Sequence, residues 1–234
     1  MASQSSNAPD QLRALLASGT TVAPFVWDGA QARYAAAAGH PAVYMTGFGT
    51  AASHGLPDIG LLGMAEMLEN ARRIVAAVDV PVIADADTGY GNPINVAHTL
   101  RAYEAAGVAA LHIEDQVWPK RCGFMDGKEV IPLADMEQKL TAALAARGEP
   151  TVMVIGRTDA LAPLGWDEAI RRARAYHQLG VDLVFIDGLK TVEDIERAAE
   201  ALHDVPRVLN SELMSGEEAS ALGYQLVIQL GTLR

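Results

Sequence analysis

Short apolar runs alternate along this chain with longer stretches in which apolar positions recur every three or four residues among Ala, Arg and Glu. A short, uninterrupted apolar run bounded by turn residues reads as a strand buried on both faces, whereas the longer spacing reads as an amphipathic helix. The strand candidates are residues 22–26, 42–45, 82–84, 110–113, 152–155, 183–186, 207–209 and 226–229, and helix candidates such as 10–17, 167–178 and 192–202 lie before or between them. Repeated βα units predict a parallel sheet, and eight of them predict a closed (β/α)8 barrel of the TIM type. The punctuation agrees: Ala106-Gly-Val-Ala109, Leu179-Gly-Val-Asp182 and Leu222-Gly-Tyr-Gln225 each place a glycine where a helix should end in a left-handed residue. No linker, long repeat or low-complexity segment interrupts residues 11–234, so one domain over 1–234 is expected.

Composition narrows the function. With 234 residues, half of them hydrophobic, the chain can bury the core of one barrel. A net charge of −11 without any Lys/Arg-rich run argues against a nucleic-acid surface, which needs a basic footprint to neutralise phosphates. No apolar stretch approaches the ~20 residues that span a bilayer, and residues 1–10 carry neither the basic nor the apolar region of a signal peptide. A soluble, cytoplasmic protein with no membrane partner is expected. The single cysteine, Cys122, cannot form an intrachain disulfide, which fits a reducing compartment and leaves the thiol for chemistry or for packing.

In such a barrel the chemistry belongs at the C-terminal ends of the strands. There the segment Pro81-Val-Ile-Ala-Asp-Ala-Asp-Thr-Gly-Tyr-Gly91 presents Asp85 and Asp87. As strand positions i and i+2 they would face the same side, where mutual repulsion asks for a cation or for protons. Leu111-His-Ile-Glu-Asp115 offers Glu114 in the same way, and such oxygen ligands suit Mg²⁺, with Mn²⁺ as the alternative. Turn or capping aspartates are the plainer alternative. Arg157, just past the fifth apolar run, is placed to bind a substrate carboxylate through two parallel hydrogen bonds, or else to pair structurally with Asp159. His112 shares the strand face of Glu114, as a barrel-core histidine or as a neighbour of the metal site.

The loop Glu114-Asp-Gln-Val-Trp-Pro-Lys-Arg-Cys-Gly123 resembles the isocitrate lyase/phosphoenolpyruvate mutase superfamily, whose lyase branch carries Lys-Lys/Arg-Cys-Gly-His on a mobile gating loop. The likeness extends in order and spacing through Val43-Tyr-Met-Thr-Gly47, Gly55-Leu-Pro-Asp58, Asp85–Gly91, Arg157-Thr-Asp-Ala160 and Asn210. It implies a (β/α)8 barrel that binds a 2-oxo or 2-hydroxy acid on Mg²⁺ and stabilises an enolate-like oxyanion. It implies Asp85 as main metal ligand, with Asp58, Asp87 and Glu114 completing the sphere directly or through waters. Tyr44, Thr46, Gly47, Gly123, Arg157 and Asn210 match substrate-holding positions, and Cys122, flanked by Lys120 and Arg121, matches the general acid.

Departures matter as well. Thr46 stands where many lyases have Ser, Phe48 where many have a second Gly, Asp187 where many have Glu, and Phe124 where the lyases have His. An apolar residue at 124 is expected to disfavour isocitrate; the reaction expected is that of a methylisocitrate or dimethylmalate lyase type, cleavage of a 2-hydroxy dicarboxylate or a substituted relative to a 2-oxo acid and a second carboxylic acid. Oxaloacetate decarboxylation is the enzymatic alternative, and a non-catalytic or truncated paralogue the other. His54, Trp118 and Gly89-Tyr-Gly91 read as loop packing and a turn. Because Arg234 follows the eighth strand candidate closely, the outer wall is expected to need the 10–17 helix or a neighbouring subunit, and a homo-oligomer, dimer or tetramer, is the expected assembly.

Overall fold

The computed structural model describes residues 8–123, 125–148 and 151–230. Eight parallel strands close into a barrel in sequence order: β1 (Thr21–Val26), β2 (Val43–Met45), β3 (Val82–Asp85), β4 (Ala110–Glu114), β5 (Met153–Thr158), β6 (Leu183–Ile186), β7 (Arg207–Asn210) and β8 (Leu226–Gln229). The pairing of Val22 with Val227 closes the ring between β1 and β8.

Alternation along each strand splits the core into two layers. Phe25, Tyr44, Ile83, Ile155, Phe185 and Ile228 point into the barrel, while Val26, Val43, Leu111, Val154, Val184 and Val227 pack outward beneath the helices. The helical layer includes α2 (Gly29–Ala37), α4 (Met64–Val75), α5 (Pro93–Ala105), α6 (Leu133–Ala146), α8 (Trp166–Leu179), α9 (Val192–Ala201) and α10 (Gly216–Ala221), with short α3 (Gly47–Ser53) and α7 (Leu161–Leu164) on strand-to-helix connections. The glycines expected at helix ends, Gly107, Gly180 and Gly223, have φ of 88, 97 and 77°, a region glycine enters without steric cost.

The first helix, α1 (Ala8–Ser18), takes a different place from the one the sequence allowed it. It lies across the N-terminal mouth of the barrel, not in the outer wall. Leu12 is fully buried within the interior layer, and Arg13 Nη2 donates to the Thr151 carbonyl at 2.7 Å, just ahead of β5. Burying that leucine contributes roughly 2 kcal/mol, and the floor it makes leaves the opposite face as the open one. Among the described residues no helix is long and apolar enough to cross a membrane.

Candidate active site

The strands that carry site residues run further than their apolar runs. β3 continues to Asp85, β4 to Glu114, β5 through Gly156-Arg157-Thr158 and β7 to Asn210, so these side chains are held by ladder hydrogen bonds. Asp85 is gripped on both oxygens: Oδ2 accepts the Gly47 amide at 3.0 Å and Oδ1 the Asp87 amide at 2.9 Å. Gly47 opens α3, and a Cβ there would lie 2.5 Å from Asp85 Oδ2, so only glycine lets the helix start so close to the carboxylate. His112 Nε2 is 3.4 Å from Asp85 Oδ1 and 2.6 Å from the Tyr44 hydroxyl, which places the histidine beside the aspartate.

Asp87 corrects part of the sequence argument. It does not share a strand face with Asp85, because β3 ends at Asp85 and Asp87 has a left-handed φ of 46°. The turn brings its carboxylate to Lys120 instead. Lys120 Nζ sits 2.9 Å from Asp87 Oδ1 and 2.6 Å from Asp58 Oδ1, all three side chains being buried. Glu114 Oε1 is a buried oxygen with no hydrogen-bond partner. Burial pushes the Asp87 carboxyl up to about 6 against the pull of Lys120. Burial also raises Glu114 well above the usual carboxylate range despite Arg157, whose Nε is 3.2 Å from Glu114 Oε2. For Asp85 burial acts the same way, but His112, Lys120 and Arg157 together outweigh it and hold the group low.

Arg157 makes the structural pair that the sequence offered as one of two roles: Nε and Nη2 donate to Asp159 at 2.8 and 3.0 Å. It also borders the cavity, so the pair orients the guanidinium at the cavity wall. That cavity is lined by Tyr44, Thr46, Asp58, Asp85, Lys120, Cys122, Gly123, Arg157 and Asn210, with Phe25, Phe48 and Asp187. Gly47 and Asp87 line the adjoining recess with Asp58 and Lys120. Glu114 lines neither and sits behind Arg157. Arg121 also lies outside both: its backbone is pinned by the Gln116 side chain at 2.9 and 2.8 Å while its own side chain is exposed. Its side chain does not line either recess. Phe124 lies outside the described residues.

Two features escaped the sequence. Lys128, beyond the loop, is buried against Asp159 and Asp187 at 2.9 Å each. Asp115, beside Glu114, accepts hydrogen bonds from Thr158 Oγ1, the Asp159 amide, Arg172 Nη1 and the Tyr176 hydroxyl at 2.7 to 2.9 Å, fixing the end of β5 from behind. A lysine or aspartate in a polar loop gives no periodic signal, so only the fold reveals these roles.

Among the described residues no three Asp, Glu, His or Cys side chains close on one point to enclose an ion unaided. The carboxylates take their counter-charges from Lys120 and Arg157 instead of from one shared centre. An all-oxygen set with an exposed face toward a cavity, and with a buried oxygen on Glu114 that has no hydrogen-bond partner, fits an ion that keeps much of its water, as Mg²⁺ does. Asp85 is the carboxylate that would hold it.

Known proteins resemble this chain in sequence and in fold. The sequence model of the phosphoenolpyruvate phosphomutase family matches residues 12–233. The chain is 45% identical over 213 residues to 2,3-dimethylmalate lyase of Eubacterium barkeri, covering 88% of this chain and 74% of that one. Among solved structures, oxaloacetate acetylhydrolase in complex with 3,3-difluorooxalacetate superposes with a TM-score of 0.91 at 38% identity, covering 95% of this chain and 80% of the other. Phosphonopyruvate hydrolase in complex with oxalate and Mg²⁺ superposes with a TM-score of 0.87 at 35% identity, with coverage of 95% and 80%.

Proposed function

The chain belongs to the isocitrate lyase/phosphoenolpyruvate mutase superfamily, and from that premise we propose that it is a Mg²⁺-dependent carbon–carbon lyase acting on an alkyl-substituted 2-hydroxy dicarboxylate. The observation that carries the reading is the seating of Cys122, from Lys120-Arg121-Cys122-Gly123, on the wall of the same cavity as Asp85 and Arg157. A thiol and a carboxylate-binding, anion-stabilising lining in one cavity are what a retro-aldol cleavage needs.

The substrate's carboxylate is held by Arg157, with Thr46 just past β2 and Asn210 at the end of β7 lining the same cavity. Loss of the 2-hydroxyl proton and cleavage of the adjacent C–C bond give a 2-oxo acid and a carbanion, and the Cys122 thiol delivers its proton to that carbanion to release the second carboxylic acid. Mg²⁺, when bound through Asp85, with Asp58, Asp87 and Glu114 acting directly or through waters, supplies charge stabilisation for the developing oxyanion. Tyr44, hydrogen-bonded to His112, keeps its proton because burial and the nearby Asp85 raise its pKa well above the usual value, so it serves as a polar wall and not as a base.

Oxaloacetate is the second substrate reading, favoured by the likeness to oxaloacetate acetylhydrolase. Turnover with Mg²⁺ of 2,3-dimethylmalate, 2-methylisocitrate, isocitrate and oxaloacetate decides between them. Release of a 2-oxo acid from an alkyl-substituted malate, faster than any reaction of isocitrate, supports the proposal. Consumption of oxaloacetate alone would replace it.

A further inference from the structure

We propose that Lys128 is the positioning residue that holds Cys122 at the cavity, through one ammonium group shared between the loop and two strand ends. Its Nζ donates to the Gly123 carbonyl at 3.0 Å, to Asp159 Oδ1 at 2.9 Å and to Asp187 Oδ2 at 2.9 Å. An ammonium has three N–H groups, and three acceptors use them all. The side chain is 2% exposed, so these bonds are made away from water and a lost one is not replaced.

The two carboxylates Lys128 grips are the ones Arg157 grips. Arg157 makes the paired bonds to Asp159, and its Nη2 lies 3.4 Å from Asp187 Oδ2. Two cations and two carboxylates thus form one buried cluster beside the substrate-binding wall, and Lys128 carries a bond from it to the loop backbone. Gly123 makes that approach possible, since a Cβ there would overlap the Asp187 carboxylate. On its other side Cys122 is fixed by its own amide, which donates to the Asp58 carbonyl at 2.9 Å. The cysteine is held upstream by Asp58, a neighbour of Lys120, and downstream by Lys128. The same ammonium therefore couples the placement of the thiol to the orientation of the guanidinium.

The catalytic consequence rests on the lyase reading above, whereas the tether does not, and the test separates them. Cys122 is the chain's single cysteine, so its carbamidomethylation by iodoacetamide, followed by intact mass, reports the opening of this segment directly. Lys128→Met removes both the charge and the tether. Lys128→Met combined with Asp187→Asn removes the tether but restores the charge balance, and so keeps the test valid if the single variant folds poorly. Alkylation should accelerate about tenfold in both, equivalent to about 1.4 kcal/mol and within the worth of one charged hydrogen bond. The double variant should recover the thermal midpoint while its thiol stays reactive. In the single variant kcat should fall more than KM rises, because the acid is misplaced but the substrate-holding strand ends remain. A rate less than about threefold above wild type in the double variant would overturn the proposal, since Lys128 would then only balance charge. Failure of the wild type to turn over any substrate would remove the lyase reading and leave the alkylation result standing.

Discussion

Replacing Gly47 by Ala isolates the geometry of Asp85 with little change to the fold. The added methyl would lie 2.5 Å from Asp85 Oδ2 and 3.0 Å from its Cγ, where the unaltered glycine donates its amide at 3.0 Å. An ordinary C···O approach is about 3.3 to 3.6 Å, so the carboxylate or the start of α3 must shift by close to 1 Å. A displacement of that size costs on the order of 10²-fold in rate when it moves a reacting or ligating group. Stability moves far less. Alanine in a helix gains roughly 0.5–1 kcal/mol over glycine, and the overpacking costs about 1–3 kcal/mol. The net loss lowers the thermal midpoint by at most about 10 °C in a domain of this size. The expected outcome is therefore a split: kcat/KM down about 10²-fold and Mg²⁺ affinity by calorimetry reduced about tenfold, with a cooperative unfolding transition retained. Activity within about threefold of wild type would show that Asp85 does not need the position this structure gives it, and the metal assignment would fall with it.

Cys122→Ser should bind Mg²⁺ as the wild type does yet lose about 10²–10⁴ in kcat, and normal turnover by this variant would remove the proposed acid. Asp85→Ala should leave no measurable activity at any Mg²⁺ concentration, and rescue by excess metal would move the ligand role elsewhere. Asp115→Leu strands the buried Arg172 guanidinium and the Thr158 and Tyr176 hydroxyls, so urea denaturation should show a loss of about 3 kcal/mol; a loss below about 1 kcal/mol would contradict the bracing role of that network.

The barrel was legible because both faces of its strands are buried, which turns each strand into an apolar run. The same criterion cut the strands short where they matter. Residues 152–155 marked the fifth strand, but β5 runs from Met153 to Thr158 because Arg157 and Thr158 find buried polar partners in Asp159 and Asp115 that no hydrophobicity pattern encodes. Asp85, Asp58, Lys120, Cys122, Arg157 and Asn210 were picked out and do share one cavity. Asp87 was selected for a wrong reason, a strand periodicity that its left-handed φ breaks, although the turn returns its carboxylate to Lys120. Arg121 does not line this cavity, and adjacency to Cys122 in an irregular loop says nothing about the direction of its side chain. Lys128 and Asp115 were invisible for the converse reason: their side-chain partners lie 31 to 61 residues away in sequence, and closure of the barrel brings them together.

The central claim is that this cavity breaks a C–C bond and that an enzyme thiol protonates the departing carbon. Turnover of 2,3-dimethylmalate with Mg²⁺ in D₂O, followed by mass and NMR analysis of both products, tests it most directly. The account predicts equal amounts of a 2-oxo acid and a second carboxylic acid, the latter carrying solvent deuterium at the cleaved carbon, with turnover stopped by chelator and restored by Mg²⁺. Undiminished turnover in chelator, or a second product without deuterium, would contradict it.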